Sequence, residues 1–237
     1  ATTEIYTLSL HDALPIWLPY FLKIENADLF IFLDTVAFQK NGIQNRNKIK
    51  TAQGGQWLTV PVRQNLGQKI VDTPINNQSN WRHKHWQTIR QCYGKTLGFL
   101  KYQQELKDLY LSEWHTLGEL NIELTKLMLK WMGIETPIVR SSELKSKGSA
   151  SELVLNLCLE VGADIYMSGT GGMNYLDESM FSRFGLTIEY NKPSLPNVYP
   201  QQNSKQGFVK DLSALDIVLN CDDSWRNYLP EREDVFR

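Results

Sequence analysis

The sequence is poor in cysteine. Cys92, Cys158 and Cys221 are odd in number and widely spaced, so they supply neither a disulfide framework nor a metal-ligand spacing. They read as reduced thiols of a cytoplasmic protein, and no metal site is expected. Neither sign of charge is in excess: 25 Lys and Arg stand against 26 Asp and Glu, a net charge of −1. That balance argues against bulk binding to nucleic acid or to an anionic membrane surface. No apolar run reaches the length of a membrane span. Internal repeats, a nucleophile elbow, a Ser/His/Asp spacing, a Walker loop and the dinucleotide fingerprint are all missing.

An initiator Met is missing as well. Residues 1–16, Ala-Thr-Thr-Glu-Ile-Tyr-Thr-Leu-Ser-Leu-His-Asp-Ala-Leu-Pro-Ile, read as one translated frame of a sequencing adapter. Setting these 16 of 237 residues aside leaves 221, and removing Glu4 and Asp12 takes net charge from −1 to +1. His11 and Asp12 are then expected to carry no function, and a native first strand and turn to be absent. With 42% hydrophobic and 22% charged residues the chain is of ordinary globular type. Residues 17–237 are read as a single domain with a sizeable core.

What is present is alternation. Trp17 to Asn26 reads as a helix, and Leu29–Leu33 as a strand covered on both sides. Trp57–Val62 reads as a second strand after a Gly54-Gly55 turn, with Pro61 marking an edge or a strand end. Helices are expected over 81–93, 99–110 and 117–132, the last stopped by Gly133 and carrying the stripe Leu120, Leu124, Leu127, Trp131. Further on come a strand at 136–140, a capping box at Ser149–Glu152, a helix over 153–161 and a strand at 164–168. A loop at 169–172, a short helix over 177–184 and a strand at 186–190 close the pattern. The predicted fold is α/β: a mainly parallel sheet with flanking helices, Rossmann-like, plus a helical insertion or cap at about 78–133. Residues 191–207 are read as an ordered loop or a flap.

In open α/β sheets ligands sit beyond the carboxyl ends of strands. Leu29–Leu33 ends at Asp34, and Gln44-Asn45-Arg46-Asn47-Lys48-Ile49-Lys50 follows. Arg46 can fork onto a phosphate or carboxylate, Lys50 adds a point charge, and Gln44, Asn45 and Asn47 can donate and accept together. The alternative is a solvated loop. Ser168-Gly169-Thr170-Gly171-Gly172, with Tyr175 beyond it, lets backbone amides approach a ligand oxygen, or is a plain tight turn. Trp81-Arg82-His83-Lys84-His85-Trp86 sets its imidazoles on opposite sides of a helix, which excludes a shared metal. His85 is a candidate base and Lys84 a candidate ligand group, against the reading that both merely pack or face solvent. His115 is read as structural, and Ser141-Ser142 as loop or cap residues. Asp34 is the one carboxylate at a predicted strand end with polar neighbours.

The chain resembles the WbqC-like bacterial family. The features carrying the likeness are Leu18-Pro19-x-Phe21, Ala27-Asp28-x-Phe30-x-Phe32-Leu33-Asp34, Val36-x-Phe38, Gln44-Asn45-Arg46-Asn47-x-Ile49, Trp57–Val62, Lys84-His85, Gly162-Ala163-Asp164-x-Tyr166-x-Ser168-Gly169 and Tyr175-Leu176. The family's usual Gln-Pro ahead of the Leu-Pro is missing, and Pro19-Tyr20 stands near a position where Gly-Tyr is frequent. The resemblance implies a role in polysaccharide and O-antigen biosynthesis, modifying amino sugars by acyl or aminoacyl transfer. A fainter likeness, to nucleotide-binding folds of the HIGH-motif type, is analogy alone.

The expected function is thus a cytoplasmic transferase acting on an activated sugar. Its ligand is a small anionic molecule or sugar nucleotide, its donor nucleotide-activated or held on an acyl carrier, and no resident cofactor is evident. Asp34 or His85 takes a proton; Gln44, Asn45, Arg46, Asn47, Lys50, Lys84, Ser168, Gly169, Gly171, Gly172 and Tyr175 hold the ligand. Two alternatives stand beside it: a non-catalytic module binding a nucleotide sugar or a partner, and an interaction protein docking through the helices at 81–132.

Overall fold

A computed structural model of the chain describes residues 18–40, 42–63, 65–191 and 198–229, together with residues 4–7 as backbone. Five strands make a wholly parallel sheet: β1 (Glu4–Thr7), β2 (Leu29–Phe32), β5 (Ile138–Arg140), β6 (Ile165–Gly169) and β7 (Thr187–Asn191). Their spatial order is β5-β2-β1-β6-β7. The continuous apolar run predicted for a doubly covered strand is β2, whose Phe30 and Ile31 are fully buried. The middle strand, β1, lies inside the segment read as adapter. A ladder is made by backbone groups, so its pairing with Leu29–Ile31 and Ile165–Met167 says nothing about which sequence occupies the slot.

Helices fill the crossovers. α1 (Leu18–Glu25) links β1 to β2 and buries Leu18, Phe21, Leu22 and Ile24. α5 (Ala150–Glu160) precedes β6, and α6 (Glu178–Arg183) precedes β7. Between β2 and β5 runs a long excursion. It holds an antiparallel hairpin, β3 (Arg46–Thr51) and β4 (Gly54–Thr59), then α2 (Trp81–Tyr93), α3 (Leu97–Leu111) and α4 (Leu117–Met132). α4 starts with a capping box in which Thr116 and Glu119 each accept from the other's backbone N–H. It stops at Gly133, whose φ of 65° lies in the left-handed region that a side chain disfavours. The stripe predicted on it packs as core: Leu120, Leu124 and Trp131 are buried.

Several expectations need correction. Residues 46–51, read as part of a polar loop, form a strand. The reason is local: Asn47 and Ile49 point inward on one face, and the partner strand satisfies the backbone. Gly54-Gly55, read as a turn, lies within β4, which ends at Thr59 before Pro61. Ser149 starts α5 without accepting a side-chain cap bond, so the capping box is not formed there. α7 (Ala214–Cys221) was not expected at all. It is only eight residues long, and the acidic Asp216 sits inside its apolar run, with Leu215, Ile217, Val218 and Leu219 buried around it. Gly98 lets α3 approach it closely, since a Cβ there would stand 2.2 Å from the Val218 carbonyl oxygen. Trp17 and residues 192–197 of the expected loop lie outside the described residues.

Candidate functional site

The end of β2 is tied to the end of β5. Phe32 pairs with Arg140, so the chains leaving the two strands run side by side. Asp34, fully buried, receives Arg140 Nε on Oδ2 at 2.8 Å and the Ser142 hydroxyl on the same oxygen at 2.7 Å. Its Oδ1 accepts from the Ser141 hydroxyl at 3.0 Å and the Ser142 N–H at 2.9 Å. Ser141 Oγ in turn accepts from the N–H groups of Asp34 and Thr35. The carboxylate is therefore saturated by four donors, one of them cationic. Ser141-Ser142, read from sequence as loop residues, supply three of those four bonds.

The amides that follow are also engaged. Gln44 Oε1 accepts from the Gln39 N–H, and its carbonyl accepts from Asn121 of α4. Asn45 Nδ2 donates to the Val60 carbonyl at 2.8 Å, and Asn47 Oδ1 accepts from the Lys48 N–H. The Asn121 bond fastens the loop at Gln44 to α4, and the Asn45 bond ties the start of β3 to the residue after β4.

His85 points inward from α2 and Lys84 outward, as adjacent helical residues must. His85 lies edge-on to Trp81 and Tyr110 at 5.3 and 5.9 Å between ring centres. With Asn47, Tyr110 and Ser213 it lines a cavity of about 20 Å³ whose other walls are apolar side chains of β3, β4, α4 and α7. That is room for about one water. Burial pulls the His85 pKa from 6.5 down to about 4, against a smaller opposing effect of its hydrogen bond to the Thr59 backbone. The ring is neutral at pH 7. Because the folded pKa is the lower one, the unfolded chain binds the extra proton between pH 6.5 and 4. Wild-type stability is expected to fall across that window by roughly 3 kcal/mol from this group. The variant His85→Gln should lack that part of the slope in urea titrations at stepped pH; an identical slope would mean that the ring titrates freely.

Lys50 sits in a cluster that sequence reasoning missed. Its ammonium donates to the Gly207 carbonyl at 2.6 Å, and its backbone N–H donates to Tyr93 Oη. Tyr93 donates to Asp216 Oδ1, while Asp216 Oδ2 accepts from Tyr199 at 2.8 Å and Gln201 at 3.1 Å. Burial raises the Asp216 pKa, opposed by the Tyr93 and Tyr199 bonds and the Lys50 charge. Burial and the Asp216 charge hold the Tyr93 hydroxyl well above its ordinary value. The only signal in the chain is an acid set in the apolar run Leu215–Leu219.

At the carboxyl end of β6, Ser168 is buried and donates to the Gly169 carbonyl. Gly172 folds back so closely that a Cβ would lie 2.0 Å from Ser168 Oγ. Gly171 and Tyr175 are half-buried, and the Tyr175 carbonyl accepts from Ser151. Arg46 lies on the hairpin's outer face. Among the described residues no hydrogen bond or ion pair joins Asp34, His85 and Ser168 to one another. The structure brings His85 and Asn47 to one cavity, Asp34 to the serines, and Lys50 to Asp216. The described residues contain no group of three or more His, Cys, Asp or Glu able to hold a metal ion. No helix among them is long and apolar enough to cross a membrane.

The sequence profile of the WbqC-like protein family matches residues 13–228. The chain is also 32% identical over 216 residues to a protein of Mycobacterium tuberculosis (strain ATCC 25618 / H37Rv), "Uncharacterized protein Rv1507c", covering 90% of this chain and 92% of that one. No solved structure matches.

Proposed function

The chain belongs to the WbqC-like protein family, and on that premise we propose that it is a transferase modifying an activated amino sugar in surface polysaccharide or O-antigen assembly. The observation that carries the reading is the strand order. Numbered along the chain, the sheet runs 3-2-1-4-5, so its order reverses between β1 and β6. In Rossmann-like sheets that reversal opens a crevice beyond the carboxyl ends of the strands, where nucleotides lie. Ser168 and Gly169 stand at the carboxyl end of β6, beside that reversal, and Gly172 packs onto Ser168 there. The step from this fold to a nucleotide-activated or acyl-carrier donor is analogy. The reaction would bring an acceptor amine onto an acyl carbonyl, expel the carrier and pass the amine proton to a base. Asp34, already filled by four donors, suits positioning of the 34–45 loop, which leaves His85 as the proton acceptor.

One observation favours a second reading, a non-catalytic module that binds a nucleotide sugar: Asp34 is saturated, and burial makes His85 a weak base. Melting curves with nucleotide-activated amino sugars and acyl donors, followed by mass analysis of products, decide between the two. A bound donor at a hundred times its Kd should raise the midpoint by about 5–10 °C. Acylated product supports the transferase, a shift without product supports the module, and no shift with any donor removes both.

A further inference from the structure

The guanidinium of Arg140 is held at one point. Its Nε donates to Asp34 Oδ2 at 2.8 Å, while only the backbone N–H of Arg140 meets Glu143. Neither terminal nitrogen makes a hydrogen bond or ion pair among the described residues, and both reach solvent. Arginine–carboxylate pairs frequently close as a fork of two parallel bonds. This one does not: the Ser142 hydroxyl shares Oδ2 with Nε, and Ser141 and the Ser142 N–H fill Oδ1. The Arg140 side chain is 23% exposed and that of Asp34 not at all, so a buried anchor aims a cation whose outer edge is open.

It is aimed along the carboxyl edge of the sheet. Ile138, Phe30, Tyr6 and Met167 stand in one row across β5, β2, β1 and β6. Arg140 and Gly169 each lie two residues beyond that row, level with one another at the edge. From the outermost strand, β5, the Arg140 side chain reaches inward to Asp34 at the end of β2. Two strand spacings, roughly 10 Å, then lead to the carboxyl end of β6 at Ser168 and Gly169.

We propose that Arg140 binds a phosphate of the activated donor at this edge, its two terminal nitrogens forked onto phosphate oxygens. The inference rests on the transferase reading and names the group that holds the donor's anion. A guanidinium fork suits phosphate and carboxylate alike. The place favours phosphate, because nucleotide ligands of such sheets lie beyond the carboxyl ends of the strands. A nucleoside diphosphate, or the phosphate-linked arm of an acyl carrier, is long enough to reach from Arg140 to the 168–172 bend. Asp34 fixes the guanidinium before any ligand arrives, so little side-chain freedom is lost on binding. The Asp34–Arg140 pair is neutral as a whole, and directed N–H bonds rather than a broad positive field would hold the anion.

Calorimetric titration of the full chain with inorganic pyrophosphate, uridine diphosphate, phosphopantetheine and malonate tests this. Arg140→Lys keeps a cation on Asp34 but loses the fork. It should weaken pyrophosphate and the preferred donor fragment about tenfold or more, as loss of a charge-assisted hydrogen bond does. Malonate, a carboxylate of similar span, should bind wild type less tightly than pyrophosphate. Whichever of uridine diphosphate and phosphopantetheine binds more tightly, and loses more in the variant, identifies the source of the phosphate. Phenylglyoxal labelling of wild type decides even where melting curves show Arg140→Lys unfolded: saturating pyrophosphate should protect Arg140, read by peptide mass analysis. Equal affinities in wild type and folded Arg140→Lys overturn the proposal, as do tighter malonate binding or full labelling of Arg140 under pyrophosphate. A folded variant that binds and forms product like wild type leaves the transferase reading standing without Arg140. If wild type binds no phosphate ligand the site is lost, and if it also forms no product both readings fall.

Discussion

Replacing Asp34 by Ala is expected to cost about 3–5 kcal/mol of folding stability, the range found when one partner of a buried ion pair is removed. Four donors converge on this carboxylate: Arg140 Nε, the Ser141 and Ser142 hydroxyls and the Ser142 N–H; of these the Ser141 hydroxyl has a second described partner, Thr35 Oγ1 at 2.9 Å. The side chain of Arg140 is only 23% exposed, so its charge would be stranded with limited access to water. For a chain of this size the midpoint should drop by roughly 6–20 °C. Asp34→Asn keeps the shape but turns an N–H₂ group toward donors, so it should lie between wild type and Ala. Urea denaturation of the three proteins reads the effect. Wild-type stability in Asp34→Ala would make this carboxylate a group free for chemistry, and the assignment of Asp34 as the clasp between β2 and β5 would be wrong.

The clasp shows why part of the fold could be read along the chain and part could not. β2, α2 and α4 follow from local pattern: an unbroken apolar run, a helical stripe, a glycine at the stop. The same logic placed Asp34 at a strand end. Its partners were hidden because Arg140, Ser141 and Ser142 are more than a hundred residues away and meet it only through the β2–β5 register. β3 was hidden for another reason. Arg46, Asn47, Lys48 and Lys50 have the composition of a loop, and only pairing with β4 and cover from 207–212 make Lys50 a buried strand residue. α7 escaped because eight residues make barely two turns, too short a stretch for a helical period to stand out, and Asp216 interrupts its apolar run. Among the candidate groups, sequence could rank residue types by chemistry. It could not show that the carboxylate was already saturated, or that His85 faced a one-water cavity while Lys84 faced solvent.

Asp216→Ala is the other substitution with a large expected effect, about 3–5 kcal/mol, because it strips several buried donors of their acceptor and removes the negative charge felt by buried Lys50. It also orphans the hydroxyls of Tyr93 and Tyr199, which bind its two oxygens inside the core. A second disruption should partly repair the first. In Lys50→Met with Asp216→Ala no charge remains buried, so the double variant should be less destabilised than the two single losses taken together. The pH dependence has a definite sign. Burial raises the Asp216 pKa in the folded state, so its contribution to stability is full at acid pH and fades as pH climbs through that raised value. Wild type should therefore lose ground to Asp216→Asn as pH rises from the unfolded carboxylate range, a trend opposite in direction to that of His85. Strict additivity in the Lys50–Asp216 cycle, or a wild-type-to-Asn difference that does not vary with pH, would show that the two charges are not coupled. The 199–207 segment would then be held on β3 by its neutral hydrogen bonds alone, chiefly Gln202 on the Lys50 carbonyl at 2.9 Å.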